Sequence, residues 1–151
     1  MFSKAEASQV RQQFWTSFGQ YMKPVPGAEG TPVNWLNYKT GVKGLYFRMD
    51  ADKNLAAVSV EVDHPDPGMR RYYFSKLISL KAILEESTAE QWQWEPDAAD
   101  EHGRLVSRVI VRLSPVNIFN QSDWPRIISF FKPRILALDK FWSVARDLMA
   151  P

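Results

Sequence analysis

Between residues 45 and 63, apolar side chains fall on alternate positions of two short runs: Leu45, Phe47 and Met49, then Ala56, Val58, Val60 and Val62. The positions between them carry Tyr46, Arg48 and Asp50, then Ala57, Ser59, Glu61 and Asp63, which apart from Tyr46 are charged or small. A period of two sends the first set to one side of a pleated sheet and the second to the other. Only one side then needs a cover, the pattern of an antiparallel sheet with helices on a single face. The joints agree with this. Gly41 and Gly44 in KTGVKG supply positive φ for a reversal, and DADKN offers Asp and Asn side chains that close their own turns. Read from Asn34 to His64, the stretch makes three strands, the first through NWLNY, joined by two tight loops.

The flanks supply the cover. Ser3 and Glu6 form an S-x-x-E capping box, followed by Val10, Phe14, Phe18, Tyr21 and Met22 at helical spacing. This helix ends near Met22, because Pro24, Pro26, Gly27, Gly30 and Pro32 follow, in a loop long enough to contact something. Asp66 and Pro67 begin a second helix whose buried stripe is Tyr73, Leu77, Leu80 and Leu84, flanked by Phe74 and Ile78, with Arg70, Arg71, Lys76 and Lys81 outside it. Gln91 to Glu95 reads as a fourth strand, Asp97 to Gly103 as a turn, and Ser107 to Leu113 as a fifth strand ended by Pro115. Ser122 or Asp123 caps a last helix in which Trp124, Ile128, Phe131, Ile135, Leu138 and Ala145 share a face and Pro133 introduces a bend. The expected fold is a single two-layer α+β domain over residues 1–151. It has a five-stranded, mainly antiparallel sheet and three helices in the order α-β-β-β-α-β-β-α.

A chain of 151 residues with six Trp, nine Phe and five Tyr has ample core material without a staple. It has no cysteine, which excludes disulfides, zinc-thiolate sites and thiol nucleophiles. The start, MFSKAEASQ, lacks the apolar segment of a secretory leader, and no run approaches the ~18 apolar residues of a membrane span. A cytoplasmic protein with no membrane association is expected. Net charge is +2, distributed as +4 over residues 1–48 (six basic, two acidic), −7 over 49–102 (five, twelve) and +5 over 103–151 (eight, three). Folding that brings these segments together compensates the charges. Segments that stay apart leave a basic surface for an anionic partner.

FWTSFGQYMK in the first helix, NWLNYKTG and LYFRMDAD in the first strands, and DWPRIISFFKPRI at the last helix together resemble an uncharacterised bacterial family, domain-of-unknown-function family DUF4268, over nearly the whole chain. The resemblance carries over no catalytic residue. In longer relatives a similar domain follows a nuclease-like PD-(D/E)xK domain, not seen in this sequence, so the resemblance also implies an association with nucleic acid.

That implication can be tried on residues. A PD-(D/E)xK site needs an Asp at one strand end, then an acidic residue and a Lys two positions apart on the next strand, so that two carboxylates hold a divalent ion and the amine assists attack by water. Asp50 and Glu61 lie on consecutive strands and the same face, but the third position is Asp63, which could ligate metal yet brings no positive charge. Alternation turns His64 away from Glu61 and Asp63, and His102 sits in an acidic loop, so neither marks a metal centre. KTGVKG leads into a strand, whereas a phosphate loop leads into a helix, and no dinucleotide or G-x-S-x-G fingerprint is present. No cofactor is indicated.

The outer sheet face retains the interest: Arg48, Arg108, Arg112 and Tyr46 project there with Glu61 and Asp63. Cross-strand ion pairs in water are the ordinary outcome of such a face. The functional reading is a contact surface, since Arg and Tyr are enriched at binding hot spots. The expectation is a non-enzymatic interaction domain that meets a protein partner or another copy of itself, as a homodimer, through the sheet face or the Pro/Gly loop. The alternative is a nucleic-acid-associated protein with a degenerate nuclease-like site at Asp50, Glu61 and Asp63.

Overall fold

The structure, a computed structural model, describes residues 2–149. Helix α1 (Lys4–Met22) opens on the expected capping box: Ser3 Oγ accepts from Glu6 N and the Glu6 carboxylate accepts from Ser3 N, both at 3.2 Å. Strands β1 (Leu45–Ala51) and β2 (Ala56–Val62) pair antiparallel with Leu45 opposite Val62 and Ala51 opposite Ala56. Asp66 caps α2 (Pro67–Ser79) by accepting from Gly68 N and Met69 N, and α3 (Lys81–Thr88) follows. After β3 (Gln93–Ala99) and β4 (Leu105–Leu113) a short 3₁₀ turn leads into α4 (Trp124–Met149). The sheet is antiparallel throughout with order β1-β2-β4-β3, so β1 and β3 are its edges.

The fold class is α+β as expected, but with four strands and four α-helices in place of five and three. NWLNY is not a strand. Asn34 Oδ1 accepts from Asn37 N at 3.2 Å and winds Trp35–Asn37 into a 3₁₀ turn, while Trp35 is buried with its Nε1 donating to Val25 O at 2.9 Å. A local Asn cap wins over extended pairing here. The second helix is two helices: at Leu80, whose φ of −103° and ψ of 11° leave the helical range, the N–H turns to Leu77 O and the axis breaks, beside a Ser79 Oγ that donates to Lys76 O at 2.6 Å. β3 also runs later than Gln91–Glu95, absorbing Asp97 to Ala99 beyond a register irregularity between Glu95 and Ala98. α4 continues through Pro133, which lies on the exposed side where water can reach the carbonyl it orphans.

The inner sheet face is dry: Val58, Val60, Val62 and Val109 are fully buried. α2 and α4 lie on it, and α1 packs on α4 through Phe14, Trp15 and Phe18 around Phe131. Burying one such side chain stabilises by about 1.5–3 kcal/mol, so this aromatic seam fixes the helical layer.

Candidate functional site

Gly41 and Gly44, both at φ +79°, set the turn that delivers the chain into β1, and from there the register fixes the outer face in rows. One row reads Tyr46, Glu61, Arg108, Glu95; the next Arg48, Ser59, Ile110, Gln93; the third Asp50, Ala57, Arg112. The alternation therefore has the expected sides, but the outer side is not simply solvated. Glu61 is 6% exposed, and Ala57, Ser59 and Ile110 are also buried. Glu61, Ala57 and Ile110 line a groove of about 610 Å³ bordered by Arg11, Arg48, Arg104, Arg108, Arg112 and the turn at Asp100–His102.

Four arginines of this groove are matched by carboxylates, while the fifth, Arg11, donates to Ala51 O. Arg48 Nε lies 2.5 Å from Glu61 Oε2 and its Nη2 3.7 Å from Asp63. Arg104 bridges Asp63 at 3.6 Å and Asp100 at 3.1 Å. Glu95 takes both Arg108, at 2.7 Å, and Arg112, at 3.2 Å. Burial pushes the Glu95 carboxyl up, but hydrogen bonds from Arg108 and Arg112 outweigh it and leave the group below the ordinary range. Burial likewise works to lower the Arg48 guanidinium, and the Glu61 bond reverses the sign. Tyr46 lies under Arg48, whose guanidinium stands 4.5 Å from the ring centroid. Asp50 differs: its side chain is exposed, no ion pair holds it among the described residues, and partial desolvation by the groove walls together with the Glu101 charge raises its pKa.

Of the candidate residues, Tyr46, Arg48, Glu61 and Arg108 come together at one end, with Asp63 beside them. Asp50 does not join Glu61, because it stands opposite Ala57, four positions from Glu61 and so about 13 Å away along the strand. Two carboxylates that share one divalent ion must bring oxygens within about 2–2.6 Å of it. Among the described residues no three His, Cys, Asp or Glu side chains are placed to hold a metal. His64 Nδ1 accepts from Asp66 N at 3.1 Å, and His102 pairs only with Glu101, at 3.5 Å.

Three groups that sequence reading placed wrongly or passed over shape the surroundings. Arg70, expected outside the buried stripe, is 6% exposed: its Nη1 reaches Ser107 Oγ at 2.7 Å, Pro96 O at 3.0 Å and Asp97 Oδ1 at 3.3 Å, pinning β3 at its irregularity. Asp139, in the buried side of α4, accepts from the Tyr38 hydroxyl and, at 2.6 Å, from Ala28 N. The Pro/Gly loop thus contacts its own helix. A Cβ at Gly27 would stand 2.6 Å from Val33 Cγ2 and 3.2 Å from Asp139 Oδ2, so only glycine lets the loop lie this close. No signal other than a charge within an apolar stripe pointed to Asp139.

Among the described residues no helix is long and apolar enough to cross a membrane. No curated protein and no solved structure matches the chain. A family model does, over residues 10–146, from within α1 to the last turn of α4, and on that match the chain belongs to the domain of unknown function family DUF4268.

Proposed function

We propose that this domain is a non-enzymatic module that recognises a protein partner through its sheet face. What supports the reading is the state of the arginines. Arg48, Arg104, Arg108 and Arg112 each have a carboxylate within 4 Å, yet the groove they border is open. A nucleic-acid surface draws its affinity from unopposed cations that displace counterions from phosphate, and ion-paired guanidiniums do this poorly. A protein partner, by contrast, can exploit a rim of Arg and Tyr already ordered by cross-strand bonds, because little side-chain entropy is lost on contact.

The test joins two measurements. Gel shifts with single- and double-stranded DNA and RNA at low salt are expected to show no salt-sensitive complex. Affinity capture with the intact domain is expected to retain a partner that Tyr46→Ala and Arg108→Glu both release. A salt-sensitive shift lost in Arg108→Glu, or cleavage of plasmid DNA with Mg²⁺ that disappears in Asp50→Asn, would replace this reading with the nucleic-acid one. Capture of nothing specific would remove its support.

A further inference from the structure

Antiparallel pairing uses the backbone of every second residue, and the phase along β1 can be fixed from its two ends. Asp63 N donates to Gly44 O and Asp52 N to Leu55 O, both at 2.9 Å, so with the continuous register it is Tyr46, Arg48 and Asp50 that exchange bonds with β2. Leu45, Phe47, Met49 and Ala51 therefore turn their N–H and C=O groups to the free edge. At the ends, both groups of Leu45 and the carbonyl of Ala51 are satisfied from within the chain. Leu45 N donates to Val42 O at 3.2 Å, Thr40 Oγ1 donates to Leu45 O at 2.8 Å, and Arg11 Nη1 donates to Ala51 O at 2.8 Å.

Phe47 and Met49 have no such partner among the described residues, which leaves two N–H and two C=O groups in a row. They open on a cleft of about 370 Å³ that has residues 46–50 of β1 along one side and Trp15, Trp35, Leu36 and Tyr38 along the other. The opposite edge of the sheet is protected as edges usually are, by Pro96, by an irregular register and by Glu95 and Asp97. Between Phe47 and Met49, β1 carries neither a proline nor a bulge.

Resting on the interaction reading above, we infer that this cleft is a strand-addition site for an extended peptide segment of a partner protein, which pairs antiparallel with β1 and takes the four free backbone bonds of Phe47 and Met49. Pairing sets the side chains. Residues opposite Phe47 and Met49 point inward and call for large apolar groups against Trp15 and Leu36. The residue opposite Asp50 points outward beside an unpaired carboxylate and calls for Lys or Arg, so the segment reads, from N to C, as a basic residue, an apolar one, any residue, and a second apolar one. A second copy of this chain fits less well. Two β1 strands paired with Phe47 opposite Met49 would set Arg48 directly against Arg48, a like-charge pair at the closest cross-strand position.

The experiment uses the full chain. Hydrogen exchange should find the Phe47 and Met49 amides fast while Tyr46, Arg48 and Asp50 are slow, and selection from a random peptide library should enrich the basic-apolar-x-apolar pattern. Met49→Pro removes an edge N–H that β2 does not use together with a side chain packed on the core, so it is compared with Met49→Ala: the two should melt alike, while Met49→Pro alone weakens the selected peptide by about tenfold or more. Asp50→Lys should shift selection to an acidic first residue. Slow exchange at Phe47 and Met49 in the monomer, library output with no alternating pattern, or binding untouched by Met49→Pro would each overturn the site. So would a dimer in sedimentation whose formation Met49→Pro abolishes, since a second copy would then own the edge. A partner released by Arg108→Glu but not by Met49→Pro would sink this site and leave the interaction reading intact.

Discussion

The Tyr38 hydroxyl donates to the Asp139 carboxylate, tying the segment ahead of β1 to the middle of α4 across 101 positions of sequence. The same carboxylate holds Ala28 N, so one buried group anchors both the Pro/Gly loop and the wall of the β1 cleft that Tyr38 belongs to. Tyr38→Phe should cost about 1.5–3 kcal/mol in urea unfolding near neutral pH, the worth of a hydrogen bond to a charged acceptor.

The pH dependence of that bond has a definite sign. Burial first, then the hydrogen bond to Asp139 and the Asp139 charge, raise the Tyr38 pKa well above its ordinary value. The folded protein then holds this proton more tightly than the unfolded chain does. The resulting stability is fully present below pH about 10, where an unfolded tyrosine titrates, and is lost as pH climbs beyond it, at up to about 1.4 kcal/mol per pH unit. Chemical denaturation between pH 8 and 11 should show a falling alkaline limb in the native protein and a flatter one in Tyr38→Phe.

Arg48 and Glu61 share a bond but should not share a cost. The Glu61 side chain is 8% exposed and that of Arg48 40%. Loss of Arg48 leaves Glu61 buried without its partner and Asp63 with one cation fewer; loss of Glu61 leaves an arginine that still meets solvent and Asp63. Arg48→Met is therefore expected to destabilise by about 2–3 kcal/mol and Glu61→Gln by about 1 kcal/mol. Equal urea midpoints for the two variants would contradict this asymmetry.

Arg70 offers a local test. One nitrogen on α2 reaches β4 through Ser107 Oγ and β3 through Pro96 O, and Ser107 Oγ itself donates to Pro96 O at 2.6 Å. Arg70→Met should cost about 2 kcal/mol, with faster amide exchange along β3 before global unfolding. Arg70→Lys should recover only part, because its nitrogen ends one bond short of the position that Nη1 reaches and its ammonium is more strongly hydrated, hence costlier to bury.

What the sequence revealed and what it hid follow from the range of the forces involved. The Ser3–Glu6 box, the Asp66–Pro67 start and the alternation in β1, β2 and β4 were readable because each is settled within a few residues. NWLNY misled because Asn34 could close a turn as well as flank a strand, and Leu80 because no glycine or proline marks the place where α2 gives way to α3. The burial of Arg70 and Asp139 depends on partners 26 to 111 positions away, which no local pattern carries. The open edge of β1 lay beyond reach for another reason. It required knowing both that NWLNY does not pair with β1 and which backbone groups β2 leaves unused.

Asp50 should reveal itself as a residue kept at a cost to the fold. Desolvation, then the Glu101 charge, raise its pKa above that of an unfolded aspartate, so the folded state binds this proton more tightly. Its contribution is favourable only below the unfolded value near pH 4 and is lost as pH rises through the folded one, which leaves the ionised carboxylate slightly destabilising at neutrality, by an amount that its exposure to solvent keeps small. Asp50→Asn should melt higher than the native protein at pH 7 and equal to it near pH 3, where both side chains are neutral. If the β1 cleft takes a basic peptide residue there, the same variant should gain stability and lose peptide affinity together, the trade expected of a charge placed for a partner. A melting temperature unchanged at pH 7 would mean that solvent already screens Asp50, and the basic position in the peptide would lose its reason.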